Sequence, residues 1–440
     1  MEDGLAAISG VRARRRAATM KWPRAVHVVG AGLAGLAASL RLARAGVGVV
    51  LHEAAPHAGG RCRSYFDKTL GCRIDNGNHL LMAGNVAAME YLRDIEATAT
   101  LTGPTAAQFS FLDLGSGKRW EVRPNRGRVP WWILCSDRRV PDTRASDYVR
   151  SIRLAWAKRS DTIAMLFDRD TAMFRRFWQP LAVAVLNTEV EEASALSLAQ
   201  ILRETFAAGG AACRPLVPSE GLSDSFVEPA LKRLRQLGGQ IRFGSRLRAI
   251  EADGTRVSKL IFDAGEETLD ANAATVIAVP APIVYRIVPG LTGPTSFRAI
   301  VNAHYRIAAP EETPLFVGLI GGSAQWVFRK REVLSVTISA ADRFVDRPAE
   351  ELAHTLWPEV QRAYDLREAQ LPAWQIVKEQ RATFAATPAQ VAQRPKSVTR
   401  WKNLVLAGDW TDTSLPATIE GAIRSGFSAA ARLLDTEARS

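Results

Sequence analysis

Three glycines, Gly30, Gly32 and Gly35, stand at the spacing G-x-G-x-x-G. They follow a short apolar run, Val26, Val28 and Val29, and precede an Ala- and Leu-rich run over 33–45. A turn of this kind can bind an anion. The first glycine permits the tight turn, the second lets the backbone approach a pyrophosphate, and the third lets helix and strand pack closely. Leu33 and Ala34 open the helix, whose N-terminus presents free N–H groups and the positive end of its dipole. Glu53 closes the next apolar run, 18 residues after Gly35, with Ala54 behind it. There it can accept hydrogen bonds from a ribose. Strand, turn, helix and strand make a βαβ unit, which implies a parallel sheet. The reading is dinucleotide binding; the bland alternative is a Gly-rich turn with no ligand.

Further on stand Gly59, Gly60 and Arg61. A second glycine pair brings more backbone to the ligand, and Arg61 adds positive charge near phosphate. Near the far end, the run 404–408 stops at Gly408 and Asp409, and a helix is expected from Thr418 through Ile419, Glu420, Gly421 and Ala422. A carboxylate at a strand end can bond a polyol chain. A helix N-terminus aimed at a flavin edge would stabilise the reduced anion. These three elements, in this order, resemble the FAD-binding amine oxidase and carotenoid desaturase superfamily. That resemblance implies FAD, held by Gly30, Gly32, Leu33, Ala34, Gly35, Glu53, Ala54, Gly60, Arg61, Gly408, Asp409 and residues 418–422. It also implies that the 246–250 strand, with Leu247, belongs to the stretch lying along the adenine. The fold implied is α/β, a Rossmann-like FAD-binding domain of the amine-oxidase type with an interleaved α+β substrate domain.

The most specific segment is Arg73-Ile-Asp75-Asn-Gly77-Asn-His79-Leu-Leu. Its D-N-G-x-H-L-L pattern resembles the squalene-associated FAD-dependent desaturases, the hydroxysqualene dehydroxylases. So does the W-Q-P-L-A-V-A-V-L-N-T segment ending at Thr188. The likeness runs from about 25 to 435. One departure is Asn78, where the family often carries Gln; the amide stays but moves by one methylene. The resemblance implies reductive removal of the hydroxyl of hydroxysqualene to give squalene, with Gly77, Asn78 and His79 beside the flavin ring. It also implies a C30 polyisoprenoid substrate and a separate reductant for the FAD. Such a reaction needs an acid. His79, which titrates near working pH, and Asp75 are the candidates. The structural alternatives are a turn-capping Asp75 and a His79 that only fixes a loop. Competing functions on the same scaffold are a polyene desaturase and an amine oxidase; a non-catalytic FAD- or lipid-binding subunit is the reading from another class.

Other elements must position these groups. Residues 100–210 read as mainly helical and aromatic-rich, 225–237 as an amphipathic helix, and 300–340 as strands. Asp253-Gly254 reads as a hairpin turn. The expected organisation is a discontinuous FAD-binding domain over 25–100, 213–282 and 395–440, and a substrate domain over 101–212 and 283–394. Residues 1–24 are a basic extension expected to lie outside the fold. With 440 residues, 47% hydrophobic and 23% charged, the chain is an ordinary globular protein, and no uncharged run exceeds 16 residues. A spanning helix, which needs about 20 apolar residues, is therefore not expected. Four cysteines without a CxxC pair argue against structural zinc and favour a reducing, cytoplasmic compartment. No metal and no nucleic acid are expected. The net charge of +12 suits an anionic membrane face, or simply reflects an Arg-rich composition. Trp131 and Trp132 are open to two readings, a membrane-interface cluster or substrate-domain core.

Overall fold

The computed structural model describes residues 24–366 and 370–435; the basic extension falls almost wholly outside them. The first strand, Ala25–Val29, is followed by the helix Leu33–Arg44 and the strand Gly48–His52. Five parallel strands form one sheet in the order Gln240–Arg242, Gly48–His52, Ala25–Val29, Ala273–Ile277, Leu404–Leu406. Its strands thus come from four separated stretches of chain. Parallel sheets are covered on both faces, and here the central strands are buried accordingly. The helix Leu33–Arg44 packs against the C-terminal helix Ile419–Leu434. They cross closely because Gly426 meets the backbone of Ala34; a Cβ at 426 would overlap the Ala34 carbonyl oxygen.

The second sheet has seven strands, in the order Trp374–Phe384, Phe297–Tyr305, Val333–Ile338, Trp326–Lys330, Phe316–Ile320, Phe109–Asp113, Arg119–Val122. Neighbours are antiparallel except Phe316–Ile320 with Phe109–Asp113. Side chains alternate between its faces. Val301, Ala303, Tyr305, Leu334, Val336 and Ile338 pack under the helix Ala349–Ala363. Their neighbours Asn302, His304, Ser335 and Thr337 point to the opposite face. That face is covered by a helical layer, which includes Gln179–Leu186 and Ala195–Glu204, and by the parallel-sheet half of the molecule.

Several strands were not expected. Phe109–Asp113 and Arg119–Val122 interrupt a region read as helical. The eleven-residue strand Trp374–Phe384 carries Lys378, Glu379 and Arg381 at its centre, which hides its period-2 pattern. The helix expected over 225–237 is split, with a π turn at Ser223–Val227 leading into Glu228–Gln236. The hairpin at Asp253 and Gly254 forms as expected, with Gly254 at φ +56°. Trp132 is core, edge to face with Tyr148 at 5.2 Å, whereas Trp131 is 48% exposed. Among the described residues no helix is long and apolar enough to cross a membrane.

Candidate active site

A cavity of about 1080 Å³ runs between the two sheets. That is the upper end of the size range for small-molecule sites. At one end lie Gly30, Gly32, Leu33, Ala34, Glu53, Ala54, Gly60, Arg61 and Leu247. The Gly59-Gly60 pair is laid along the first turn: Gly59 N donates to Ala31 O at 2.8 Å. The space fits a dinucleotide. A Cβ on Gly32 would meet no atom within 4 Å, so the backbone there faces open cavity. Glu53 is already oriented, accepting from Ala31 N at 2.8 Å and Ala55 N at 2.9 Å. Each carboxylate oxygen keeps a lone pair for a ribose hydroxyl.

Further along, Gly408, Asp409, Thr418, Ile419, Glu420 and Ala422 line the wall. Thr418 caps the C-terminal helix by accepting from Gly421 N at 3.0 Å, so the helix N-terminus opens on the cavity. Asp409 is held by Arg61, whose Nη2 donates to both carboxylate oxygens at 2.7 Å. Two glycines of the expected set do not line the cavity. Gly35 sits behind the turn, where a Cβ would overlap the Gly30 carbonyl oxygen, and Gly421 faces Pro416. Glu420 reaches the wall, but its carboxylate is occupied. It accepts from Ala87 N at 3.0 Å and Ala88 N at 2.8 Å and so caps the helix Val86–Asp94. Trp410 gives its indole N–H to Val279 O and meets Tyr285 edge to face at 6.0 Å; it is a packed wall residue.

Gly77, Asn78 and His79 also line the cavity. His79 Nδ1 lies 3.2 Å from Gly77 O. A carbonyl can only accept, so Nδ1 carries the hydrogen and Nε2 is left to exchange a proton. Burial lowers the His79 pKa from its ordinary value, and the Gly77 contact and Asp75 only partly oppose it.

Asp75 does not line this cavity. Its carboxylate accepts from Ser64 Oγ at 2.6 Å, Leu222 N at 2.9 Å and the Lys330 ammonium. Burial alone would raise its pKa. The Lys330 charge and these hydrogen bonds outweigh that and hold the carboxyl below its usual range. A carboxylate kept ionised is a poor proton donor, and Asp75 instead ties three segments together behind the Gly77–His79 loop.

A polar lattice that no motif announced lies between them. Asn302 pairs in register with Thr337, and His304 with Ser335. Asn78 Nδ2 donates to Ser335 Oγ at 2.8 Å and Thr337 Oγ1 at 3.0 Å. Thr337 passes its hydrogen to Asn302 Oδ1 at 2.8 Å. Ser335 Oγ lies 2.7 Å from His304 Nδ1. His304 is buried and its pKa is driven down to about 4 by that burial. Asn78, Asn302 and Thr337 face the large cavity. His304 and Ser335 face a smaller one of about 310 Å³ on the other side, together with Asp75 and Lys330.

Beyond this polar end the cavity becomes an apolar arm. It is walled by Phe109, Phe111, Trp326 and Phe328 from the sheet, and by Phe177, Leu181, Leu198, Ile201 and Phe206 from the helices. Gly318 makes room for the Phe111 ring, which a Cβ would meet at 2.7 Å. The π turn Phe174–Trp178 rotates Phe177 onto this wall, a distortion often found at functional sites. Among the described residues no cluster suited to a metal ion occurs, and all four cysteines are free.

Comparison with known proteins places this geometry. The family of flavin containing amine oxidoreductases matches residues 33–309 and 314–434. A hydroxysqualene dehydroxylase of Rhodopseudomonas palustris is 49% identical over 409 residues, covering 92% of this chain and 97% of its own. One from Sinorhizobium fredii is 44% identical over 408 residues, 93% of this chain and 98% of its own. A zeta-carotene desaturase relative from Synechococcus elongatus is far more distant, at 22% over 94% of this chain. The crystal structure of an oxidoreductase from Methanosarcina mazei superposes with a TM-score of 0.67 over 92% of this chain and 99% of its own at 15% identity, a likeness of fold alone. An FAD-binding cavity on this fold makes the protein an FAD-dependent oxidoreductase. The chain belongs to the flavin containing amine oxidoreductase family, in the branch that holds the hydroxysqualene dehydroxylases.

Proposed function

We propose that this enzyme removes the hydroxyl of the C30 allylic alcohol hydroxysqualene, releasing squalene and water. The observation that carries the reading is a single cavity in which the dinucleotide turn and a polar site open into a long aromatic arm. The near-identical length and 42–49% identity of the dehydroxylase relatives support it. Reduced FAD, when bound, supplies the hydride.

The protein's own residues have three tasks. The aromatic arm holds the hydrocarbon and keeps water from the allylic cation left when the hydroxyl departs. Asn78, Asn302 and Thr337 form a fixed hydrogen-bonding wall at the polar end and orient the alcohol there. His79 gives the proton to the leaving hydroxyl. Its lowered pKa makes the protonated ring scarce at neutral pH but strongly acidic when present. Asp75 is a positioning residue, acting through the Gly77–His79 loop. The reductant is a separate molecule or protein, since the chain carries one dinucleotide turn and no CxxC pair. A substrate of this apolarity reaches the enzyme from a lipid phase, so peripheral contact with an anionic membrane belongs to the proposal.

The test is an anaerobic half-reaction. The bound flavin is reduced, hydroxysqualene is added, and oxidised-flavin absorption is followed while squalene is assayed. Return of the band with a matching yield of squalene is expected. A flavin that stays reduced with hydroxysqualene, yet is restored by a control oxidant, overturns the reading and turns attention to polyene desaturation.

A further inference from the structure

Twelve large apolar side chains among the described residues stand well exposed, and six of them fall within 28 residues: Val129, Trp131, Leu134, Val149, Ile152 and Trp156. Scattered single exposures need no explanation, but a gathered patch does. The six lie on or beside elements that pack together. The turn Trp131–Leu134 packs on the short helix Ala145–Val149, which runs directly into the turn Arg150–Trp156. Tyr148 Oη accepts from Val140 N at 2.9 Å and its ring meets Trp132, which pins the two turns together from beneath.

The charge of the same segment is one-sided. Residues 126–159 hold nine Lys and Arg against three Asp, half of the net +12 of the chain. The three acids are already engaged. Asp137 pairs with Arg123, Asp142 with Arg176, and Asp147 accepts from Arg144 N. None of the nine cations forms a salt bridge with an acid among the described residues. Arg138 lies instead over the Trp131 ring at 4.8 Å. Exposed tryptophan beside unpaired arginine matches a headgroup layer, where the indole sits at the interface and the cations meet lipid phosphate.

The location has a consequence for the cavity. The turn Arg150–Trp156 packs on the helix Ala195–Glu204, whose Leu198 and Ile201 wall the apolar arm. The loop at 125–126 is joined by backbone hydrogen bonds to Gly210 and Ala211, just beyond Phe206 of the same wall. The patch therefore lies one helix away from the hydrocarbon end of the cavity.

We infer that the surface carried by residues 126–159 is a docking face for an anionic lipid bilayer, with Trp131, Leu134 and Trp156 inserted and the unpaired arginines on the headgroups. The reason for such a face rests on the C30-substrate reading; the face itself does not. The test uses the full-length holoenzyme and vesicles without substrate. Vesicles of phosphatidylcholine alone are compared with vesicles containing about one-third phosphatidylglycerol, by flotation and by tryptophan quenching with brominated lipid. Binding to the anionic vesicles, weakened by salt, is expected. The triple variant Trp131→Ser/Leu134→Ser/Trp156→Ser should lose at least tenfold in partitioning while keeping its FAD and its turnover of detergent-dispersed substrate. Phe243→Ser, an exposed residue elsewhere, should bind as the wild type does. Equal partitioning of the triple variant and the wild type overturns the inference. So does a wild-type dimer that the triple variant abolishes, which would make the face an interface between two copies. Vesicle binding with no dehydroxylation would leave the docking face standing and remove only the substrate reading.

Discussion

Replacing Asp75 by Asn separates a positioning carboxylate from a catalytic acid. The side chain is 3% exposed and its Lys330 partner 14%. Asn keeps an acceptor for Ser64 Oγ and Leu222 N but leaves the ammonium without its counter-charge. Breaking a buried pair by removing one partner costs about 3–5 kcal/mol. Lys330 retains some access to water, which puts the loss at the lower end, about 3 kcal/mol, or roughly two decades in the folded-to-unfolded ratio. Replacing Lys330 by Met as well removes the stranded charge, so Asp75→Asn/Lys330→Met should recover about 2 kcal/mol relative to the sum of the single variants. The carboxyl is held below its ordinary pKa, so its stabilisation is complete above about pH 4 and lost as pH falls through the native value. The gap between wild type and Asp75→Asn should accordingly stay constant from pH 5 upward. Urea unfolding gives the stabilities, and anaerobic single-turnover flavin oxidation gives the chemical step. With FAD retained, the double variant should react within tenfold of wild type. A fall of about 10²–10⁴, the range expected for loss of a general acid, would refute the positioning role.

The glycine turn should divide along its geometry. Gly32→Ala meets no neighbour and should change apoprotein stability by less than about 0.5 kcal/mol while weakening FAD binding at least tenfold; unchanged affinity in titration would sink this. Gly35→Ala drives a methyl into the Gly30 carbonyl and should destabilise by about 1–3 kcal/mol or more, seen as a lower melting temperature with or without FAD. His79→Phe should slow the single-turnover step by about 10²–10⁴ with flavin still bound. The wild-type rate should climb as pH falls below 6.5, because burial lowers the His79 pKa; an inflection above 6.5 would contradict the assignment. His304 binds its proton near pH 4 when folded and near 6.5 when unfolded, so the native state holds fewer protons in between and stability is lost as pH falls. Wild type should lose about 3 kcal/mol more than His304→Gln between pH 7 and 4, and parallel denaturation curves for the two proteins would argue against a neutral buried ring.

What could be read without coordinates was what is local. The turn at Gly30–Gly35 and the caps at Thr418 follow from short-range backbone chemistry, and they appear where their residue types put them. Glu420 sits where a motif would hold it, but the amides of Ala87 and Ala88, 333 and 332 residues away, claim its carboxylate. Asp75 lies in the most specific segment of the chain, yet its chemistry is decided by Lys330, 255 residues on. An isolated carboxyl in such a segment reads as a candidate acid; the ion pair with Lys330 is what favours a positioning role.

The polar lattice was hidden for a different reason. Along 297–305 and 333–338 the apolar residues alternate with Asn302, His304, Ser335 and Thr337. In an antiparallel sheet that pattern ordinarily means one face in the core and one in water. Here both faces are covered, and the polar side lines two cavities. Its groups pair across the strand register, Asn302 with Thr337 and His304 with Ser335, and with Asn78 reaching in from the other half of the molecule, while Asn78 Oδ1 and His304 Nε2 stay without a partner among the described residues. Period-2 alternation therefore identifies which residues share a face but not what that face meets. In this chain the face turned away from the helix Ala349–Ala363 carries its polar residues opposite Asn78 and its aromatic residues under Phe177 and Phe206. One sheet face thereby sets a hydrogen-bonding end against a hydrocarbon end, the division that an alcohol on a long apolar chain requires of its binding site.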